Sequence, residues 1–279
     1  MSISIQTNVT SLFAQENLAA NTAFQSQTIQ RLTSGFRINS SGDDAAGLAV
    51  ANGFRSSIAE LNQGVRNSND GVSILQVVDG GLSNISTILD RLKTLATESA
   101  TDTFTGNRAT LNNEFTTLLT EIDRQAANVG LSSAVAPANR YNKAIAVYIG
   151  GGDTQADAQV TVDLSGATNQ VDSTGLALST NTVDTKANAL TALTAIGLAV
   201  TALGQVQGKV GTGENLLQYA AALAGSQITN FSAAQSRIRD ADIAAEAANL
   251  TKAQTLQQSS IAALAQANSA PAAVLKLLQ

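Results

Sequence analysis

Leu193, Ile196, Val200, Leu203, Gln207, Val210, Glu214, Leu217, Ala221, Ala224, Ile228, Phe231, Gln235 and Ile238 follow one another at alternating intervals of three and four residues. All but Gln207, Glu214 and Gln235 are apolar, which is the pattern of a coiled-coil helix. At 1.5 Å per residue such a helix is a rod of roughly 70 Å, well beyond the length of an ordinary globular helix. Gly204, Gly208, Gly211 and Gly213 fall in its middle, and a kink or break is expected there. A second ladder runs through Ile58, Leu61, Val65, Ser68, Val72, Leu75, Asp79 and Leu82, slips by one residue near Gly80-Gly81, and continues as Ile85, Leu89, Leu92 and Ala96. Leu111, Phe115, Leu118, Ile122, Ala126 and Val129 form a shorter amphipathic helix. Three apolar seams in one chain must bury against each other. The expected fold is therefore mainly α: a long antiparallel coiled-coil bundle, rod-like in outline.

Between the ladders the period changes to two. Ile145, Val147 and Ile149 alternate with polar or small residues, as do Val160, Val162 and Leu164, and Gly150-Gly151-Gly152-Asp153 supplies a turn. This predicts a small β-hairpin on the bundle. Pro137 is expected to help stop the preceding helix. Residues 165–185, rich in Ser, Thr, Asn and Asp, read as surface loop.

Composition removes most chemistry. Among 279 residues there is no His, Cys or Trp. Zinc sites with the usual ligands, haem, iron–sulfur clusters, disulfides and His-dependent nucleophilic catalysis are thereby excluded, and no cofactor is expected. Charged residues make up 13% of the chain and the net charge is −5 with no basic run, so a nucleic acid is not an expected partner. Residues 1–30 contain no Lys or Arg, so a basic secretory leader is not expected. Residues 186–209 are apolar enough to be weighed as a membrane span, but Asn188, Thr191, Thr194, Thr201 and Gln205 interrupt them; no membrane insertion is expected.

The two ends are helix-permissive yet thinly apolar. Residues 1–40 hold Leu12, Phe13, Leu18, Phe24 and Ile29 among Ala, Gln, Ser and Thr, with three charges: Glu16, Arg31 and Arg37. In residues 240–279 the ladder Ile243, Ala247, Leu250, Gln254, Gln257, Ile261, Leu264 carries glutamines in its middle. Fixing a backbone costs on the order of 1–2 kcal/mol per residue, which so thin a stripe on a single partner helix does not recover. Both ends are expected to be disordered in the lone chain and to fold as several copies pack around them.

Two runs of residues then stand out. Near the start, Ser4-Ile5-Gln6-Thr7-Asn8-Val9 is followed by Leu32, Ser34-Gly35-Phe36-Arg37-Ile38-Asn39 and Asp43-Asp44-Ala45-Ala46-Gly47-Leu48-Ala49. Near the end, Ser236-Arg237-Ile238-Arg239-Asp240-Ala241-Asp242 leads to Ala253-Gln254, Leu256-Gln257-Gln258 and Leu264-Ala265-Gln266-Ala267-Asn268. At both termini the chain resembles bacterial flagellin, over roughly residues 1–130 and 200–279. The resemblance implies a structural subunit, not an enzyme, that polymerises into the helical flagellar filament for motility, here in a short form without large outer domains.

On that resemblance the organisation is an inner core domain from residues 1–42 and 240–279, its two helices pairing on assembly. Residues 43–136 and 186–239 supply the helices of an outer bundle domain, and 137–185 its hairpin and variable loop. Self-assembly falls to Leu12, Phe13, Leu18, Phe24, Ile243, Leu250, Ile261 and Leu264. Implied partners are other copies, hook-junction and filament cap proteins, an export chaperone holding the carboxyl-terminal segment, and the flagellar type III export apparatus. The implied location is the extracellular flagellum, reached without a cleaved signal peptide. Arg91, Leu95 and Glu114 match the family's contact positions for an animal Toll-like receptor, while Asp90 and Thr94 depart from its usual residues.

Several local features have plain readings. Asp43-Asp44 caps a helix start. Asp240, Asp242 and Glu246 are expected to form helix-surface or inter-subunit ion pairs with Arg237 and Arg239 rather than a cation site. The glycines at 150–152 make a flexible turn rather than a calcium repeat. Gly208-Lys209 and Gly211-Thr212-Gly213 lack the rest of a phosphate-binding motif. A surface adhesin on the same scaffold would need an expanded middle region, a hook-junction protein would not carry the full pattern at both ends, and no pocket motif suggests a carboxylate hydrolase.

Overall fold

The computed structural model describes residues 7–134, 139–151 and 157–277. Five helices occupy most of them: α1 Val9–Ser34, α2 Ala45–Ala100, α3 Arg108–Val129, α4 Lys186–Arg239 and α5 Ile243–Leu277. Two strands, β1 Ala144–Tyr148 and β2 Gln159–Asp163, pair antiparallel with Ile145 opposite Val162 and Val147 opposite Val160. The chain divides into two compact units, one made of Met1–Ser56 with Asn230–Gln279 and the other of Ser57–Thr229. Pro137 and the turn residues Gly152 and Asp153 lie outside the described residues, as do Ser4, Ile5 and Gln6.

In the unit Ser57–Thr229, α2 and α4 pack on each other along a continuous seam, as the ladders require. The seam of α4 is Ala189, Ala192, Ile196, Ala199, Leu203, Val206, Val210, Gly213, Leu217 and Ala224. Ile196, Leu203, Val210, Leu217 and Ala224 belong to the expected ladder, but the alternate rungs are the residues one step earlier, such as Ala199 in place of Val200 and Gly213 in place of Glu214. In α2 the buried positions are Leu61, Gly64, Ser68, Gly71, Leu75, Val78, Leu82, Ile85, Leu89 and Leu92. The expected slip at Gly80-Gly81 is therefore absent, because Gly64, Gly71 and Val78 carry the rungs assigned to Val65, Val72 and Asp79. The expected break in α4 is absent too: a Cβ at Gly204, Gly208 or Gly211 would meet nothing within 4 Å, so these glycines lie on the open side of an uninterrupted helix.

The small rungs have a purpose in packing. A Cβ at Gly71 would lie 2.9 Å from Leu217 Cδ1 and 3.1 Å from Val147 Cγ2, and one at Gly213 would lie 2.6 Å from Val162 Cγ1. A Cβ at Gly64 would collide with the backbone of Ile149, and one at Gly81 with the side chain of Val129. The hairpin and the end of α3 thus reach the helix backbones, filling slots that any side chain would close. The hairpin is pinned further by Tyr148 Oη, which donates to Glu60 at 2.8 Å, and by Asn67, which donates to the Tyr148 carbonyl at 2.9 Å. Helix α3 buries Phe115, Leu119, Ile122, Ala126 and Val129. It ends on Gly130, whose left-handed φ of 75° returns its N–H to the helix carbonyls.

Residues 165–185 are not a surface loop. Val171, Leu176, Leu178 and Val183 are buried, and the polar residues around them satisfy the backbone. Asp172 accepts from the Ser133 amide at 3.1 Å and from the Gly175 amide at 3.0 Å. Asp123 accepts from the Ser173 amide at 2.7 Å, and Asn112 accepts from the Val183 amide at 2.9 Å. Ser99 donates to the Val183 carbonyl at 2.5 Å, and Lys209 donates to Asn169 at 2.7 Å. A segment rich in short polar side chains can lie against a core when those side chains bond backbone that water no longer reaches.

α2 and α4 are both long and apolar enough to cross a membrane by length and composition. Their large apolar residues recur on the seam just described. At the start of α2 the two acids divide the work. Asp44 accepts from the Gly47 amide at 2.8 Å and caps the helix, whereas Asp43 closes the preceding loop by accepting from the Ser40 amide at 2.9 Å and the Asn39 amide at 3.1 Å. Those backbone bonds, with one from the Gln27 side chain, lower the Asp43 carboxyl to about 2.

Two outcomes are expected from this packing. Gly213→Ala forces a Cβ onto a stiff valine and should destabilise the unit by about 1–3 kcal/mol. Gly208→Ala on the open side of the same helix should stabilise it by about 0.5–1 kcal/mol, both read by urea unfolding. A third concerns acid. Because the folded Asp43 carboxyl titrates below its ordinary 3.8, its contribution to the loop is complete above that value and is lost as pH falls through about 2. The Asn39 and Ser40 amide resonances should follow a midpoint near 2, and a midpoint near 3.8 would contradict these bonds.

Candidate assembly interface

In the unit Met1–Ser56 with Asn230–Gln279, α1 and α5 pair antiparallel. Asn8 opens α1 by accepting from the Ser11 amide, and Gly35, with φ of 74°, closes it. Asp242 opens α5, accepting from the amides of Ala244 at 2.9 Å and Ala245 at 3.1 Å. The covered positions recur every three or four residues on both helices. They are Ser11, Ala14, Leu18, Asn21, Gln25, Thr28 and Leu32 on α1, and Glu246, Leu250, Ala253, Gln257, Ser260, Leu264 and Ala267 on α5. As in α4, alternate rungs of the expected α5 ladder are displaced by one residue: Glu246, Ala253 and Ser260 are covered where Ala247, Gln254 and Ile261 were expected.

Half of these positions are polar, and several of them bond across the seam. Ser11 donates to Asn268 at 2.9 Å, Asn8 donates to the Ala267 carbonyl at 2.8 Å, and Asn21 donates to Ser260 at 3.0 Å. Arg31 and Glu246 form an ion pair at 3.4 Å, with Glu246 among the few buried charged residues. Of the residues expected to drive assembly, Leu18, Phe24, Leu250 and Leu264 are half-buried. The other four are open: Leu12 is 56% exposed, Phe13 62%, Ile243 50% and Ile261 52%. Val9, Ile29 and Leu256 join them on the outside. Burying a large apolar side chain fully is worth about 1.5–3 kcal/mol, and here that gain is largely untaken within one chain.

Where α1 gives way to α2 and α4 to α5, the two crossings run side by side. Phe36 and Asp240 form an isolated antiparallel bridge. The Arg37 amide donates to the Arg239 carbonyl at 2.6 Å and the Ala241 amide to the Gly35 carbonyl at 2.9 Å. The Arg37 guanidinium donates to the Ile238 carbonyl at 2.7 Å, and that of Arg239 stands 4.1 Å over the Phe36 ring. Within one chain the acids do not pair with Arg237 and Arg239. Asp242 caps a helix, Asp240 accepts from Ser236 at 2.6 Å, and Glu246 turns to Arg31.

The residues matched to a receptor lie in the other unit and behave unequally. Arg91 donates through Nε at 2.8 Å and Nη2 at 2.6 Å to one oxygen of Glu114, and both side chains are substantially exposed. Leu95 is 0% exposed. It follows Leu92 on α2 and packs in the core, so it is not presented at the surface as a contact would be. Among the described residues no group of three or more His, Cys, Asp or Glu side chains is placed to hold a metal ion.

Comparison with known proteins agrees with this architecture. The family description "Bacterial flagellin N-terminal helical region" matches residues 5–131, and "Bacterial flagellin C-terminal helical region" matches residues 193–278. A flagellin of Halalkalibacterium halodurans is 34% identical over 99% of this chain and 99% of its own length. A flagellar filament 30.7 kDa core protein of Treponema maltophilum is 33% identical over 98% of this chain and 99% of its own. The crystal structure of Bacillus cereus flagellin aligns with a TM-score of 0.48 at 25% identity, covering 61% of this chain and 94% of that one. The chain therefore belongs to the bacterial flagellins: it is a structural, non-enzymatic subunit that self-polymerises into the extracellular flagellar filament.

Proposed function

We propose that α1 and α5 are the polymerisation elements of this flagellin, and that their paired state belongs to the polymer rather than to the free chain. The observation that carries this reading is the exposure of Leu12, Phe13, Ile243 and Ile261 outside the α1/α5 seam, which leaves their apolar surface for a neighbouring copy to cover. Inside the seam, Asn8, Ser11 and Asn21 give alignment by hydrogen bonds that each contribute only about 1 kcal/mol net. Leu18, Phe24, Leu250 and Leu264 add a partial apolar contact that neighbouring copies complete. The inner core domain then comprises residues 1–42 and 240–279, the bundle domain 43–136 and 186–239, and its hairpin and connecting segment 137–185.

The finer partners follow from the same reading. Terminal segments that stay open before assembly suit export through the flagellar type III apparatus without a cleaved leader, with a chaperone on residues 240–279 until delivery. Hook-junction and filament cap proteins meet the two ends of the polymer. The bonded pair Arg91 and Glu114, supported from beneath by Leu95, is the site offered to an animal Toll-like receptor.

Polymerisation is tested by seeding purified protein with sheared fragments and sedimenting the product. Full-length chain should form tubes, whereas a chain lacking residues 240–279 should stay in the supernatant. Phe13→Asn, which removes apolar surface that the single chain does not bury, should leave monomer stability within about 0.5 kcal/mol of the parent and lower sedimentable mass by tenfold or more. Full-length and truncated chains remaining small alike at every concentration would overturn the reading.

A further inference from the structure

Charge is scarce on the two helices that pair on assembly. α1 carries only Glu16 and Arg31, and α5 only Glu246, Lys252 and Lys276. Glu16 and Lys252 are exposed, whereas Arg31 and Glu246 meet across the seam at 3.4 Å with 26% and 10% of their side chains exposed. We propose that this ion pair is the specificity-determining contact of polymerisation: it makes α1 accept α5, and at one register, as the two helices come together in the polymer. The inference rests on the preceding reading that α1 and α5 pair on assembly, and adds to it what selects the pairing.

The need for a selector follows from the rest of the seam. Both helices present the same kinds of residue there, small or amide side chains with leucines two heptads apart: Leu18 and Leu32 on α1, Leu250 and Leu264 on α5. In a polymer, where α1 and α5 of several copies lie close together, such seams discriminate poorly between unlike and like partners. Arg31 and Glu246 break the likeness. Pairing α1 with α1, or α5 with α5, supplies neither charge with its opposite. A slip of one heptad in the antiparallel pair sets Arg31 against Ala253 and Glu246 against Ile38. A slip the other way sets Arg31 against Arg239 and Glu246 against Phe24. Only the observed register brings the two charges together.

The charges select because they lose water on pairing. Glu246 is 8% exposed, with one oxygen accepting from Arg31 Nη1 and the other from Asn249 at 3.4 Å. Arg31 Nε is enclosed as well and has no acceptor among the described residues, so Glu246 is the group that neutralises this guanidinium. In the free chain, with both helices unpaired, each charge is hydrated. Burying the two together sets their attraction against the desolvation, whereas burying either alone incurs the desolvation with nothing to offset it. The pair therefore adds little to the stability of the right arrangement and much to the penalty of the wrong ones. A buried polar contact fixes register and partner in coiled coils by the same means.

Elongation of purified full-length variants on sheared parental fragments tests this. Arg31→Glu and Glu246→Arg should each slow elongation about hundredfold, and the two together, which restore opposite charges, should return it to within about tenfold of the parent. The chain contains no Cys, so register is readable by oxidative cross-linking in the sedimented polymer. Asn21→Cys with Ser260→Cys, whose parent side chains bond at 3.0 Å, should cross-link, and Asn21→Cys with Ala267→Cys, one heptad away, should not. Replacing the pair by Arg31→Met and Glu246→Leu should leave elongation near the parental rate and let the shifted cysteines cross-link as well. Single reversals that elongate like the parent, a double reversal as slow as either single, or a neutral pair that keeps the shifted cysteines apart would each overturn the selector. None of those results touches the preceding reading, which is judged by whether a chain lacking residues 240–279 enters the polymer on the same seeds. If it does, both fall.

Discussion

The position of large apolar side chains relative to each helix seam decides how this molecule behaves. In the unit Ser57–Thr229 the seam is filled by Leu75, Leu82, Ile85, Leu89 and Leu92 of α2 and Ile196, Leu203, Val210 and Leu217 of α4, while Val77, Leu190, Leu198, Tyr219 and Leu223 stand outside it. In α1 and α5 the seam mixes Leu18, Leu32, Leu250 and Leu264 with Ser11, Asn21, Thr28, Glu246 and Ser260, and Leu12, Phe13, Ile243 and Ile261 stand outside it. Each pair of long helices thus buries part of its apolar surface and leaves part of it open.

Glycine and alanine are structural on the first of these seams. Gly64, Gly71 and Gly213 admit the hairpin to the helix backbones, and Gly81 admits Val129 of α3. A helix interior loses roughly 0.5–1 kcal/mol per glycine relative to alanine, so each buried one implies a close approach that offsets the loss. The opposite case is Gly204, Gly208 and Gly211 in α4, where a side chain would meet open space.

Much of this was legible in residue order alone. The long helices and the hairpin follow from periodicity, the family from the motifs at both ends, and the pairing of the ends from that resemblance. Large apolar side chains mark a seam only to within one residue, because small residues can hold its rungs. Val200, Val65 and Ile261 drew each ladder to the wrong flank, when Ala199, Gly64 and Ser260 hold the seam because close packing favours small rungs. Residues 165–185 misled for a related reason, since Asp172 and Ser173 look like solvent-facing residues until their bonds to buried backbone are traced. The bridge between Phe36 and Asp240 was not legible as a contact, because nothing local in either run announces the other. Leu95 could be placed in the core only once the α2 seam was known to run through Leu92 without a slip.

The central claim is that α1, of 26 residues, and α5, of 35, acquire their helical form by joining a polymer. Far-ultraviolet circular dichroism of the same protein before and after seeded assembly measures this directly. The account requires helicity to rise on assembly by an amount matching those two helices, with the signal from α2, α3 and α4 already present in the monomer. A monomer whose spectrum already contains the full helical complement, unchanged by polymerisation, would contradict it.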